Sequence, residues 1–184
     1  MSKPAVFIDR DGTINVEKNY LHRYEDWEWT PGAIDAIKAL NDAGYLVIVV
    51  TNQAGIARGM YGDDDVELLH KQVDQELASH GAHVDGYYYC PHHPDHGEIR
   101  ECECRKPEPG MLFEAQRDHD IDMSLSYMIG DKLSDVEAGM AAQVKSILVT
   151  TGYGAESASK LPPGACTAAN LSEAVQVILR ASQK

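Results

Sequence analysis

Apolar residues in this chain come in short runs separated by longer stretches of helical periodicity. Ala5–Ile8 and Leu46–Val50 are near-continuously apolar, the pattern of central parallel strands buried on both faces. Ser126–Ile129 and Lys145–Val149 look similar but less pure, and Gly86–Tyr89 is a further strand candidate. Between these runs lie helices. Pro31-Gly32 opens one that carries Ile34, Ile37 and Leu40 and stops at Gly44. From about Asp63 to His80, the residues Val66, Leu69, Val73 and Leu77 share one stripe behind an acidic first turn, which suits the helix dipole. A third helix is expected after Pro109, a fourth over roughly Ser134–Ala142 with Val136 and Met140 inward, and a last over Leu171–Ala181. Gly152–Gly164 reads as a surface connection, and Met1–Pro4 and Ser182–Lys184 read as frayed tails.

Strand and helix alternate throughout. That predicts an α/β fold with a doubly wound, Rossmann-like, mostly parallel sheet in a single domain over residues 1–184. In such sheets ligands bind beyond the carboxyl ends of the strands. Three polar clusters fall on that edge: Asp9 and Asp11 after the first strand, Thr51-Asn52 after the second, and Gly130-Asp131-Lys132 after Ser126–Ile129.

Charge narrows the classes of partner. Sixteen basic residues stand against 29 acidic ones, a formal net charge of −13. Nucleic acid and anionic membrane both want a basic face, so neither is an expected partner. The same field would repel a phosphorylated metabolite, so an anion site must be built locally from a cation and a few Lys or Arg. The apolar runs fall far short of the ~20 residues that span a bilayer. The first one ends in Asp-Arg-Asp rather than in a signal-peptide pattern. A cytoplasmic protein is expected. With no surplus apolar stripe to cover, it is also expected to be a monomer.

Asp9 and Asp11 lie two residues apart, and an extended segment points both side chains the same way. Like charges so close are costly unless a cation or a proton sits between them. Cleaving a phosphate ester needs a nucleophile, a proton donor for the leaving oxygen, and cations for the non-bridging oxygens. Asp9 can attack phosphorus, and Asp11 can protonate the departing alkoxide and later take a proton from water. A magnesium ion held by Asp9 and Asp131 would relieve the repulsion. Thr51 can hydrogen-bond a phosphoryl oxygen, and Lys106 can supply fixed positive charge. Each residue also has a plainer reading. Thr51-Asn52 could close a strand end, Arg105-Lys106 could be a solvated basic turn, and Asp131 and Asp135 could cap a helix. The chemical reading rests on their joint occurrence.

Of the four cysteines, Cys90, Cys102 and Cys104 crowd together with His92 while Cys166 stands apart. Without export signals, such clustering favours a metal over a disulfide. Three sulfurs and one imidazole make a closed tetrahedral set suited to structural zinc. His93 and His96 are competing ligands. The loop ends at Cys104, directly before Arg105-Lys106, so a zinc ion there would place those cations.

The motifs DRDGT, TNQ, RKPEPG and GDKLSD, in this order and spacing, resemble those of the haloacid dehalogenase (HAD) superfamily of phosphotransferases. The resemblance implies Asp9 as nucleophile, Asp11 as acid and base, and Thr51 and Lys106 as phosphoryl stabilisers. It also implies magnesium on Asp9, the Asp11 backbone carbonyl and Asp131, with Asp135 close behind. Residues 14–45 and 53–104 leave no room for a cap domain, so an open site is expected. The strings DRDGTINV, TNQAGIARG, YYCPHHP, CRKPEPGML and YMIGDKLSD further resemble the D-glycero-D-manno-heptose 1,7-bisphosphate 7-phosphatase family. That resemblance implies removal of the C7 phosphate of a sugar bisphosphate on the way to lipopolysaccharide core heptose. Its substrate contacts would be Glu17, Lys18, Asn19 and Tyr20, then Thr51, Asn52, Gln53 and Ala54, then Arg105, Lys106 and Lys132. Histidinol-phosphate phosphatase, with the same fold and a similar zinc loop, is the alternative, and a non-catalytic sugar-phosphate-binding module is a remote one.

Overall fold

A computed structural model describes residues 2–182. The apolar runs lie side by side as β1 (Ala5–Ile8), β2 (Leu46–Asn52), β3 (Gly86–Cys90), β4 (Tyr127–Gly130) and β5 (Lys145–Val149). A sixth strand, β6 (Cys166–Ala168), completes the sheet in the order β3-β2-β1-β4-β5-β6. Every pairing is parallel. The hydrophobic pattern carries no signal for β6, because its first two residues are exposed and only Ala168 is buried. β2 runs two residues past its apolar stretch, so Thr51 and Asn52 are still in register with Tyr89 and Cys90.

Helices cover both faces: α1 (Ala33–Asp42), α2 (Asp63–Ser79), α3 (Gly110–His119), α4 (Leu133–Ala141), a single turn α5 (Gly154–Ser157) and α6 (Leu171–Ala181). Successive strand residues point to opposite faces, so β1 serves two cores. Val6 and Ile8 pack with Ile37 and Leu40 of α1, Leu69 and Val73 of α2, and Val175 and Ile178 of α6. Ala5 and Phe7 pack with Met111 and Leu112 of α3 and Ala138 of α4. This double burial explains why the first strand has no polar position.

Two expectations need correction. Met140 is 41% exposed rather than inward. A methyl group on Gly139 would strike Ser146 and Met128, so α4 meets the sheet through its small residues and Met140 rolls towards solvent. Within the supposed N-terminal tail, Lys3 makes a parallel bridge to Ile121, donating to the Asp120 carbonyl and accepting from Asp122 N. Ser182 N still donates to the Ile178 carbonyl, while Met1, Gln183 and Lys184 lie outside the described residues. The Gly152–Gly164 connection contains α5 and a 3-10 turn at Ala158–Lys160. Among the described residues no helix is long and apolar enough to cross a membrane.

The chain turns back between β1 and β4, the position where doubly wound sheets open a crevice at their carboxyl edge. Among the described residues nothing the size of a cap domain covers it: one 3-10 turn (Tyr24–Asp26) and α1 join β1 to β2. Ser126 anchors the crevice from below. Its Oγ accepts from the buried Ala5 N–H at 2.9 Å and donates to the Asp122 carbonyl at 2.6 Å. Ser126→Ala should lower stability by about 1–3 kcal/mol by stranding that N–H, read as the urea midpoint at constant slope. An unchanged midpoint would contradict this account.

Candidate active site

β1 and β4 end side by side at the crevice, and each delivers an aspartate as it ends. Asp9 follows β1 and donates its N–H to the Ile129 carbonyl of β4, while Asp131 follows Gly130. Asp135 reaches back from the first turn of α4, where Oδ2 accepts from Lys132 N at 3.0 Å. The three buried carboxylates present oxygens within 4.8 Å of one another. Lys106 Nζ stands among them, 2.7 Å from Asp9 Oδ1, 2.7 Å from Asp135 Oδ1 and 2.7 Å from the Val50 carbonyl. Burial alone would push this ammonium down, but Asp135 and Asp9 outweigh it and hold it above the usual lysine range. An Asn52 amide clasp carries the lysine there, donating to the Lys106 carbonyl and accepting from its N–H, both at 3.1 Å.

Asp131 is the exception to this pairing. Its Oδ2 accepts from Tyr153 N at 2.9 Å, but Oδ1 is buried with no partner. Burial first, then Asp9 and Asp135, push its carboxyl up to about 8. Gly12 (φ 86°) and Gly152 (φ 54°) bracket it, and a Cβ on either would collide with the Asp131 carboxylate. Thr151 Oγ1 ties the two loops by donating to the Gly12 carbonyl at 2.7 Å. An orphaned buried oxygen in an all-carboxylate set fits a hard divalent cation.

Asp11 is held apart from that set. Arg10 donates to both of its oxygens, Asn15 Nδ2 to Oδ1 at 3.0 Å and Gln53 Nε2 to Oδ2 at 3.1 Å. Burial opposes its charge, yet the Arg10 guanidinium and these hydrogen bonds prevail and hold the carboxyl below its usual range. Gln53 also donates to Thr51 Oγ1 at 2.8 Å and accepts from the Tyr61 hydroxyl at 2.6 Å. Arg10 in turn meets His70 Nε2. Burial and the Arg10 charge push that imidazole down to about 3, so it is neutral.

Above these groups opens a cavity of about 440 Å³. Of the residues singled out in the sequence, Asp9, Asp11, Glu17, Asn19, Tyr20, Thr51, Asn52, Gln53, Ala54, Arg105, Lys106, Lys132 and Asp135 line it, and the fully buried Asp131 is not part of its lining. Lys18 does not. It pairs with Glu28 at 3.0 Å, directly before Asn19 and Tyr20, whose φ angles are positive. Tyr61, His93, Ser134 and Tyr153 also line the cavity and were not foreseen as contacts. For Tyr153 a signal existed: the strand-end rule applied to β5 points to residues 150–153. Tyr61 and His70 reach the site from α2 and its lead-in, and no local pattern marks them.

At the end of β3 a second cluster forms. Cys90, His92, Cys102 and Cys104 present their ligand atoms together, with sulfur pairs at 2.9, 3.4 and 3.6 Å and His92 Nδ1 at 3.4 Å from Cys104. A disulfide needs about 2.05 Å. A tetrahedron with ~2.3 Å bonds has edges near 3.8 Å, so the set fits a tetrahedral thiophilic ion. His93 and His96 stand outside it, facing each other, with His93 beside Arg58. Gly110 N donates to the Glu103 carbonyl and Arg105 Nη1 to the His92 carbonyl, which links the cluster to the lysine loop.

A HAD-hydrolase-like family model matches residues 103–174. A D-glycero-beta-D-manno-heptose-1,7-bisphosphate 7-phosphatase of Salmonella typhi is 50% identical over 156 residues, covering 82% of each chain. One of Yersinia pestis is 47% identical over 156 residues with the same coverage. The chain belongs to this 7-phosphatase family. The solved D,D-heptose 1.7-bisphosphate phosphatase from B. bronchiseptica, complexed with magnesium and phosphate, has a TM-score of 0.88 at 31% identity and covers 97% of this chain and 99% of its own. The chain is therefore a phosphatase with the HAD-like fold. The family model takes in Lys106, Asp131 and Asp135 but starts too late to include Asp9.

Because Asp131 gains a proton more readily folded than unfolded, its ionisation subtracts from stability as pH rises from the ordinary carboxylate range towards 8. In protein stripped of divalent cations, Asp131→Asn should melt higher than the unaltered chain at pH 7.5, and the gap should shrink at pH 5. Added magnesium should raise the melting temperature of the unaltered chain and leave the variant unmoved. A variant that melts lower and still responds to magnesium would overturn the reading of the orphaned oxygen.

Proposed function

We propose that this chain hydrolyses the C7 phosphate of D-glycero-D-manno-heptose 1,7-bisphosphate to the heptose 1-phosphate and inorganic phosphate, supplying heptose for lipopolysaccharide core. The observation that carries the proposal is Lys106, buried between Asp9 and Asp135 beside the partnerless Asp131 oxygen, in a chain half identical to named heptose bisphosphate 7-phosphatases.

Asp9 attacks phosphorus with a carboxylate oxygen, forming the aspartyl–phosphate bond as the ester oxygen departs. Asp11 gives that alkoxide its proton, then takes one from the water that frees phosphate from Asp9. In the empty site Asp11 is held ionised. A phosphomonoester dianion placed beside it raises its proton affinity, by the same coulombic rule that acts on Asp131. Lys106 and Thr51 hold non-bridging oxygens. Lys132, 3.9 Å from Glu17 and 4.9 Å above the Tyr153 ring, brings a second ammonium to the rim. Asp9, the Asp11 carbonyl and Asp131 would hold magnesium, which when bound supplies charge neutralisation for the phosphoryl group. Glu17, Asn19, Tyr20, Asn52, Gln53, Ala54 and Arg105 contact the sugar in this reading, and Lys18 drops out.

Cys90, His92, Cys102 and Cys104 would hold zinc as a closed structural set. Bound there, it would fix the loop that delivers Arg105 and Lys106 without an open position for chemistry.

Phosphate release with magnesium from heptose 1,7-bisphosphate and from histidinol phosphate, side by side, tests the proposal. Loss of one of the two heptose phosphates and little reaction with histidinol phosphate is expected. Preference for histidinol phosphate would overturn the substrate and keep the chemistry. Asp9→Asn should lower turnover more than about 10⁴-fold with the fold intact by circular dichroism, and unchanged turnover would sink the mechanism. Cys102→Ser should lower the melting temperature and weaken catalysis, with one equivalent of zinc lost by elemental analysis. Full activity and stability without zinc would contradict the structural role.

A further inference from the structure

Arg10 is the largest fully buried side chain, at 1% exposure. A guanidinium has only donors to offer, and leaving any of them unpaired in the interior is expensive. Nε and Nη2 go to the Asp11 carboxylate, Nη2 also to the Leu21 carbonyl at 2.8 Å, and Nη1 to His70 Nε2 at 3.3 Å. Since Arg10 can only donate, the imidazole must accept, which makes it the neutral tautomer with its proton on Nδ1.

The ring is itself held in place. His70 lies 4.2 Å from Tyr87, stacked at 14°, with Tyr89 edge-on at 6.4 Å. The Tyr87 hydroxyl donates to Asp74 at 2.7 Å, one helical turn beyond His70 on α2. A chain of fixed contacts thus runs from the side of α2 through His70 and Arg10 to Asp11.

The choice of acceptor matters. A carboxylate at position 70 would satisfy Nη1 but would share the guanidinium's charge and pull it away from Asp11. A neutral imidazole satisfies the same donor and leaves the positive charge facing Asp11 alone.

We propose that His70 is a positioning residue for the acid–base step: by accepting from Arg10 it fixes the guanidinium that aims the Asp11 carboxylate at the leaving oxygen. The proposal rests on the reading of Asp11 as the acid. His70 touches neither substrate nor metal, and its effect passes through Arg10.

The test compares kcat/KM, which covers steps through loss of the leaving group, for two esters on the magnesium-loaded enzyme. Heptose 1,7-bisphosphate has a poor leaving alcohol that needs a proton, whereas p-nitrophenyl phosphate has a good one that does not. His70→Phe keeps the stacked ring and removes the acceptor. It should cost about 30-fold on the heptose ester, within the range expected for impaired acid catalysis, and less than about threefold on the aryl ester. His70→Gln, whose Oε1 can accept from Arg10, should recover the heptose rate to within about fivefold. Equal losses on both esters, or no recovery with glutamine, would mean that His70 only packs, and the proposal would fall. If His70→Phe does not fold, His70→Leu carries the same comparison. Asp11→Asn is the control. A heptose-selective loss there without one in His70→Phe overturns the positioning role alone, and an unselective loss there overturns the acid assignment together with this proposal.

Discussion

Few groups cost more to bury than an ammonium ion, and here Lys106 Nζ is withdrawn from water with three acceptors at 2.7 Å. Most of the site's geometry serves to keep it there. A buried lysine without such partners would lose its proton, and the carboxylates around it would repel one another without a cation between them. Asp9 and Asp135 are thus paired internally, and the imbalance that remains falls on Asp131. The overall charge of −13 makes this local arrangement necessary, since the protein's long-range field opposes an anionic ligand.

Delivering Lys106 needs a loop of fixed shape in a stretch too polar to fold on its own. Residues 93–101 contain no helix or strand, and most are exposed. Order comes from their two ends. The sulfur and imidazole cluster gathers the loop at the end of β3, and the Asn52 clasp joins the lysine backbone to the end of β2. Asn52 is therefore as much a brace as a surface contact. The oxygen and nitrogen of its one amide group match one backbone donor and one backbone acceptor, a pairing that an apolar or a singly functional side chain could not make.

The parts of the fold legible in the sequence were those with a local cause. Apolar runs marked five strands because double burial leaves no polar position, and the strand-end rule found Asp9, Asp131 and Thr51 because the carboxyl edge is a property of topology. What could not be seen depended on neighbours distant in the chain. β6 has one buried residue and exists because β5 offers it an edge. Met140 faces solvent because Gly139 lets α4 approach Met128, a contact visible only after folding. Arg10 sat within a recognised motif, yet its partners Leu21 and His70 are set by tertiary packing, and the pairing of Lys18 with Glu28 joins residues ten apart that no local pattern links. Tyr153 alone could have been found by carrying the same rule one strand further.

The glycine bracket around Asp131 joins parts of the chain that are far apart in sequence. Thr151 and Gly12 are 139 residues apart, and Tyr153 contributes the backbone donor to Asp131. Asp9 and Asp11 thus lie near one end of the sequence, while the loop that completes the surroundings of Asp131 lies beyond residue 150. The setting of Asp131 therefore depends on β5 lying beside β4, because the loop that follows β5 supplies both contacts.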